Sequence, residues 1–114
     1  MDKIFGIYGD ALALRSQRLN MLASNIANAA TPHFKARDLD FDKAIASVLD
    51  GTPLNDSVAS NSRYRVPLQP AMDGNTVELS TEQTLFAENA VQYRSTLSFL
   101  EGRLGTLRRA MKGE

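Results

Sequence analysis

Apolar and small side chains recur near the start of the chain in steps of three and four: Phe5, Tyr8, Leu12, Leu19, Leu22, Ile26 and Ala29, with Arg15 in the one vacant place. That spacing puts them on one stripe of a helix and predicts a helix over residues 1–30. The same pattern returns without a break near the end of the chain, at Phe86, Ala90, Tyr93, Leu97, Leu100, Leu104, Leu107 and Met111. It predicts a second helix over residues 80–112. Ser80 and Gln83 have capping-box spacing, and Arg108, Arg109 and Lys112 suit the negative end of the helix dipole.

Between the stripes the pattern breaks down. DLDFD, residues 38–42, alternates acidic and apolar; Ile45, Val48 and Leu49 then make one face of a short helix that Asp40 could cap and Gly51 could end. Residues 52–63 are rich in Ser, Asn and Asp and predict a mobile loop. YRVPLQP, residues 64–70, is held extended by its two prolines, and Asp73-Gly74-Asn75 marks a turn. The expected architecture is one mainly α domain of 114 residues: two long terminal helices paired as an antiparallel coiled coil, joined by an irregular, partly extended middle segment at 31–79.

More apolar residues lie off the seam: Ile7, Leu14 and Met21 on the first helix, Leu85 and Phe99 on the second. In a lone hairpin they would face water, which marks a partner surface. The sequence therefore predicts a free monomer that is partly disordered and becomes fully helical when other subunits cover it. A compact bundle, with the middle segment folded over those residues, is the other arrangement the pattern permits.

Composition removes several function classes. Thirteen basic and thirteen acidic residues cancel, so no net charge draws the chain to nucleic acid or anionic lipid. No apolar run is long enough to span a bilayer or form the core of a cleaved signal peptide. With no cysteine and one histidine, His33, in a turn, no catalytic set, cofactor motif or metal cluster emerges. Asp38, Asp40 and Asp42 begin like a calcium loop, but Lys43 and Leu49 stand where it needs glycine and glutamate. The chain reads as no enzyme, with no cofactor, no metal, no nucleic-acid partner and no direct lipid insertion.

Asn25 and Asn28 are three apart, beside the Leu22-Ile26-Ala29 seam, among small residues that permit close approach by another helix. An asparagine beside a seam fixes register by pairing with a defined neighbour, and Thr31-Pro32 ends the helix. Simple helix termination is the alternative reading.

These residues carry a resemblance. ALALRSQRLNMLASNIANAATPHFKARDLDF, residues 11–41, with its core SNIANAATP at 24–32, resembles the amino-terminal motif of bacterial flagellar rod, hook and related axial proteins. KARDLDF at 35–41 and the run from YRVPLQP to RRAMKG, residues 64–113, are similar to one rod protein in particular. The family segment reads more like NADTPGYKARD, so Ala30, His33 and Phe34 replace an aspartate, a glycine and a tyrosine. Without that glycine, a left-handed residue after Pro32 would carry modest strain.

The resemblance implies a structural subunit of the proximal rod, which joins the membrane ring and export gate to the distal rod and hook. It implies export from the cytoplasm by the flagellar type III apparatus to the periplasm-spanning rod of the basal body. Its implied partners are other flagellar rod proteins, the ring-rod junction protein, the export gate and further copies of itself. On this reading Asn25, Ile26, Asn28, Thr31 and Pro32 form an assembly motif. Leu12, Leu19, Leu22, Phe86, Tyr93, Leu97, Leu100, Leu104 and Leu107 form the helix seam. The runner-up is a small helical adaptor or export chaperone using the same stripes.

Overall fold

The computed structural model describes the backbone of residues 2–113 and the side chains of residues 6–113; Phe5 of the first stripe falls outside the latter. A helix α1 (Asp2–Ala27) leads through turns to a strand β1 (Arg37–Leu39), then to helices α2 (Phe41–Leu49) and α3 (Leu54–Asn61), a strand β2 (Ser62–Tyr64) and the long helix α4 (Leu79–Lys112). The described chain measures 65 × 26 × 18 Å. Its length comes from α1 and α4, of 26 and 34 residues, which lie side by side.

Their direction follows from four contacts. Asn25 bonds Glu82, Asn89 bonds the carbonyl of Arg15, Arg15 bonds Gln92, and the rings of Tyr8 and Phe99 sit 4.9 Å apart. Each step forward on α1 is matched by a step back on α4, so the pair is antiparallel as the sequence predicts.

The middle segment packs on the other side of α1. Leu14, Leu39 and Ala44 are buried together, with Met21, Phe41, Ile45, Val48, Leu54 and Val58 around them. Of the two arrangements the pattern permits for Leu14 and Met21, the compact one is found: α2, α3 and β1 cover them. Ile7, nearer the end of the hairpin, stays 39% exposed.

Residues 52–63 differ most from expectation: α3 occupies most of the predicted mobile loop. The polar residues that argue for a loop find partners inside the fold. Ser57, fully buried, donates its hydroxyl to the Ala44 carbonyl at 2.8 Å, Asn61 donates its amide to the Ser57 carbonyl at 2.8 Å, and Leu54 and Val58 turn onto the core. Pro53, with φ −57°, starts the helix without needing an amide of its own. β2 then pairs antiparallel with β1, Arg37 opposite Tyr64 and Leu39 opposite Ser62.

α2 follows expectation: the Asp40 carboxylate accepts from the Lys43 amide, and Gly51 takes φ 102° just past the end. In α4 the capping box does not form. The cap is Glu78, so Ser80 already lies inside the helix; the Glu78 carboxylate makes no capping bond and accepts from the Leu68 amide at 3.1 Å. α1 stops at Ala27, short of the predicted residue 30, because the chain tightens into turns there, with the Asn28 amide bonded to both Ser24 and Asn25 carbonyls.

His33 has φ 64°, so the left-handed turn after Pro32 is kept without its glycine. The strain is accommodated by the opposing turn: the His33 amide donates to the Asp73 carbonyl at 2.8 Å, and a Cβ on Gly74, itself at φ 74°, would stand 2.8 Å from His33 Nδ1. Gly74→Ala should therefore cost about 1–2 kcal/mol, part from its own positive φ and part from that clash. Urea unfolding of Gly74→Ala in the wild-type and His33→Gly backgrounds checks this: the cost should be smaller in the latter.

Candidate functional site

The best-built polar site joins both long helices to the middle segment. Arg18 on α1 grips Asp38 on β1 with two parallel bonds, Nε to Oδ1 at 2.8 Å and Nη2 to Oδ2 at 3.0 Å. Arg65, just after β2, reaches Asp38 at 3.0 Å and also Glu82 on α4 through both Nε and Nη2. Asn25 closes the set: its amide donates to Glu82 Oε2 at 2.9 Å and to the Arg37 carbonyl at 2.7 Å, while its oxygen accepts from the Arg37 amide at 3.1 Å. Glu82 is wholly buried and Asn25 nearly so. Alternating charge with each bond made is what allows carboxylates and guanidiniums to sit inside so small a domain.

Asp38 feels opposing influences. Burial pushes its carboxyl up, but hydrogen bonding and charge from Arg18, with further bonds from Arg65 and the Leu39 amide, bring it below the ordinary carboxylate value. A depressed carboxyl stabilises the fold above the unfolded-state value, about pH 4, and that contribution disappears as pH falls through the folded-state value. Urea midpoints should thus decline on acidification below about pH 4, and Asp38→Asn should show a lower midpoint at neutral pH with a shallower acid decline.

A second polar centre finishes α1. Asn75, in the turn before α4, donates its side-chain amide to the carbonyls of Asn28, Ala29 and Thr31 at 2.8 to 3.1 Å. These are carbonyls that a helix terminus leaves without partners. Asn28 folds back on its own helix, donating to the Ser24 carbonyl at 2.8 Å and accepting from the Thr31 hydroxyl at 3.1 Å.

The sequence-predicted residues divide accordingly. Asn25 spends its polar groups within the chain, where it fixes the register of α1 against β1 and α4. Asn28 and Ile26 are half-buried, and Thr31 and Pro32 stand exposed at the corner. Of the seam, Leu22 is fully buried; Leu12, Leu19, Phe86, Tyr93, Leu97, Leu100 and Leu107 are half-buried, and Leu104 is exposed. The fully buried positions of α4 are polar, Glu82 and Asn89. Arg15, in the vacant place of the first stripe, stacks its guanidinium 3.9 Å over the Phe41 ring.

Arg18, Asp38, Arg65, Asn75 and Glu82 were not anticipated. A signal existed for two of them. Arg18 and Glu82 lie one turn before Leu22 and Phe86, each one residue beside the seam instead of on it, where a charge commonly pairs across to a neighbouring element.

Little here suggests chemistry. Among the described residues no three His, Cys, Asp or Glu side chains converge as a metal site, and no helix is long and apolar enough to cross a membrane. What remains open is surface: Val66, Leu68 and Met72 in the extended segment and Val91, Phe99 and Met111 on α4 are all exposed.

Comparison with known proteins matches residues 9–35 to the model of a family described as flagella basal body rod protein. Similarity to curated proteins extends much further. The chain is 43% identical over 120 residues to the flagellar basal body rod protein FlgB of Cereibacter sphaeroides strain ATCC 17029, covering 96% of this chain and 94% of that protein. It is 39% identical over 126 residues to FlgB of Aeromonas hydrophila, covering 99% and 96%. With FlgB of Escherichia coli K12 it shares 37% identity over 123 residues, covering 91% and 89%.

Proposed function

Because the chain belongs to the FlgB family of flagellar basal body rod proteins, and is thus a structural rod subunit, we propose that it works at the proximal end of the rod. There it carries load between the membrane ring with its export gate and the distal rod and hook. Identity running over 96% of the chain is the observation that carries this reading, since it includes the middle segment as well as the helical ends.

The partners on this reading are other rod proteins, the ring-rod junction protein, the export gate and further copies of the chain. The exposed Thr31-Pro32 corner, with Asn28 beside it, serves as part of the contact between subunits. Head-to-tail contacts of this kind do not close and so build a filament. The chain reaches the rod through the type III apparatus and completes its order on assembly. Far-UV circular dichroism of the dilute chain should then give less helix than the structure contains, with the outer turns of α1 and α4 frayed while the part held by the polar network still unfolds in one transition.

The test is deletion of the gene, purification of basal bodies and electron microscopy. Rings lacking rods, restored by the wild-type gene, support the proposal. Complete rods and normal swimming refute it, and a chain that stays cytosolic bound one to one with a single partner would be an adaptor or chaperone.

A further inference from the structure

The apolar core of this chain is made without α4. Leu14, Leu39 and Ala44 are its fully buried members, and the six partly buried side chains packed around them come from α1, α2 and α3. Judged by apolar contact alone, the segment from Leu14 to Val58 would fold by itself and leave α4 as an attachment to α1. Its size argues otherwise. A piece of about fifty residues is near the lower limit for a hydrophobic core without other support. Three fully buried side chains, one of them alanine, make a small core even at that length.

The polar network supplies what is missing, and it is divided between the two parts of the chain. Arg18 and Arg65 both bond Asp38. With Asp38 alone, two guanidiniums would share one carboxylate and repel each other. Glu82 of α4 balances the second charge and gives the Asn25 amide its buried acceptor. Further along α4, Asn89 donates to the Arg15 carbonyl and Gln92 accepts from the Arg15 guanidinium, both at 2.9 Å. The middle segment is thus held to α4 by charge, through Arg65, while α4 adds no side chain to the apolar cluster.

We infer that α4 is the lock of the fold: the residues before 79 do not hold their structure until α4 docks and Glu82 enters the network. The groups that must meet run along the sequence from Arg15 to Gln92. Whichever end of the chain leads through a narrow channel, nothing locks until all of that stretch has emerged. A subunit in transit therefore stays threadable and closes in one step afterwards. That bearing on export rests on the rod-subunit reading; the lock itself is a property of the isolated chain.

Hydrogen exchange of the full chain, at rising urea below the unfolding midpoint, tests it. The Asp40, Ser57 and Arg65 amides, bonded to the Asn61, Pro53 and Ala36 carbonyls, report on the middle segment. The amides from Phe86 to Gln92 report on α4. Both sets are expected to exchange through one opening, with the same free energy and the same urea slope. Exchange of the α4 set through a smaller opening, with the other three amides still protected, would overturn the lock. So would an absence of protection in both sets.

Glu82→Gln gives an independent readout, because it keeps the size of the side chain and an acceptor while removing the charge. Exchange should quicken about tenfold, and equally, in both sets. Quickening confined to α4 would overturn the lock and leave the rod reading intact. A chain missing from purified basal bodies would remove the rod reading and leave the lock standing.

Discussion

Glu82→Ala should lower the folding stability of the isolated chain by about 3–5 kcal/mol, the cost of removing one partner from a buried ion pair. The carboxylate is wholly buried between Arg65 and Asn25. Its loss strands two sets of donors at once. Arg65 retains Asp38, at 3.0 Å, but its side chain is only 19% exposed, so little water is at hand to replace the lost partner. The Asn25 amide keeps only the Arg37 carbonyl. Glu82→Gln fills the space and can still accept, so it should fall between wild type and alanine. Urea unfolding followed by circular dichroism checks the order; a loss below about 1 kcal/mol for Glu82→Ala would mean the network contributes no more than a surface pair.

The network also explains why the hairpin does not behave as an ordinary coiled coil. In a heptad seam the buried positions are aliphatic and register is loosely set by their repeat. Here the buried positions of α4 are Glu82 and Asn89, and Asn89 donates to the Arg15 carbonyl at 2.9 Å. A slide of one turn would bury these groups without partners. Register is thus fixed by the penalty for mispairing, and apolar contact fills in around it. The same groups fasten β1 and the segment after β2, so the helices and the middle segment align together.

How much of this was legible in the sequence depended on the range of the interactions. The two long helices were readable because periodicity is local: Leu97, Leu100, Leu104 and Leu107 repeat within one segment and need no knowledge of what they face. The Asp40 cap and the end of α2 at Gly51 were readable for the same reason. α3 was not, because Ser57 and Asn61 look like loop residues until the Ala44 carbonyl and the carbonyls of their own helix are brought to them by the fold. For Leu14 and Met21 the sequence permits either a partner or the middle segment as the cover, because it does not reveal that α2 and α3 return across α1. The polar site required three separate segments to converge, and only the place of Arg18 and Glu82 beside the seam hinted at it. The segment from Asn25 to Pro32 reads as a unit in sequence, yet Asn25 is buried while Thr31 and Pro32 are exposed.

That division leads to the second large effect. Asn25→Leu should cost about 3 kcal/mol, since it leaves one side of the buried Glu82 and the part-buried Arg37 amide and carbonyl without partners, at roughly 1–3 kcal/mol for each group and less where water reaches Arg37. Leucine is close enough in size to asparagine that lost bonding, more than lost packing, sets the penalty. Asn28→Leu gives up only exposed bonds to Ser24 and Thr31 and should change stability by less than about 1 kcal/mol. The two variants therefore separate folding from assembly. Asn25→Leu should fail early, with a lower urea midpoint and reduced accumulation in the cell. Asn28→Leu should fold normally and, if its corner meets a neighbouring subunit, reduce swimming and rod formation without any change in midpoint. Equal midpoints for wild type and Asn25→Leu would show that Asn25 does not hold the register of α1. Normal rods from Asn28→Leu would remove that residue from the subunit contact and leave Thr31 and Pro32 as the exposed remainder of the corner.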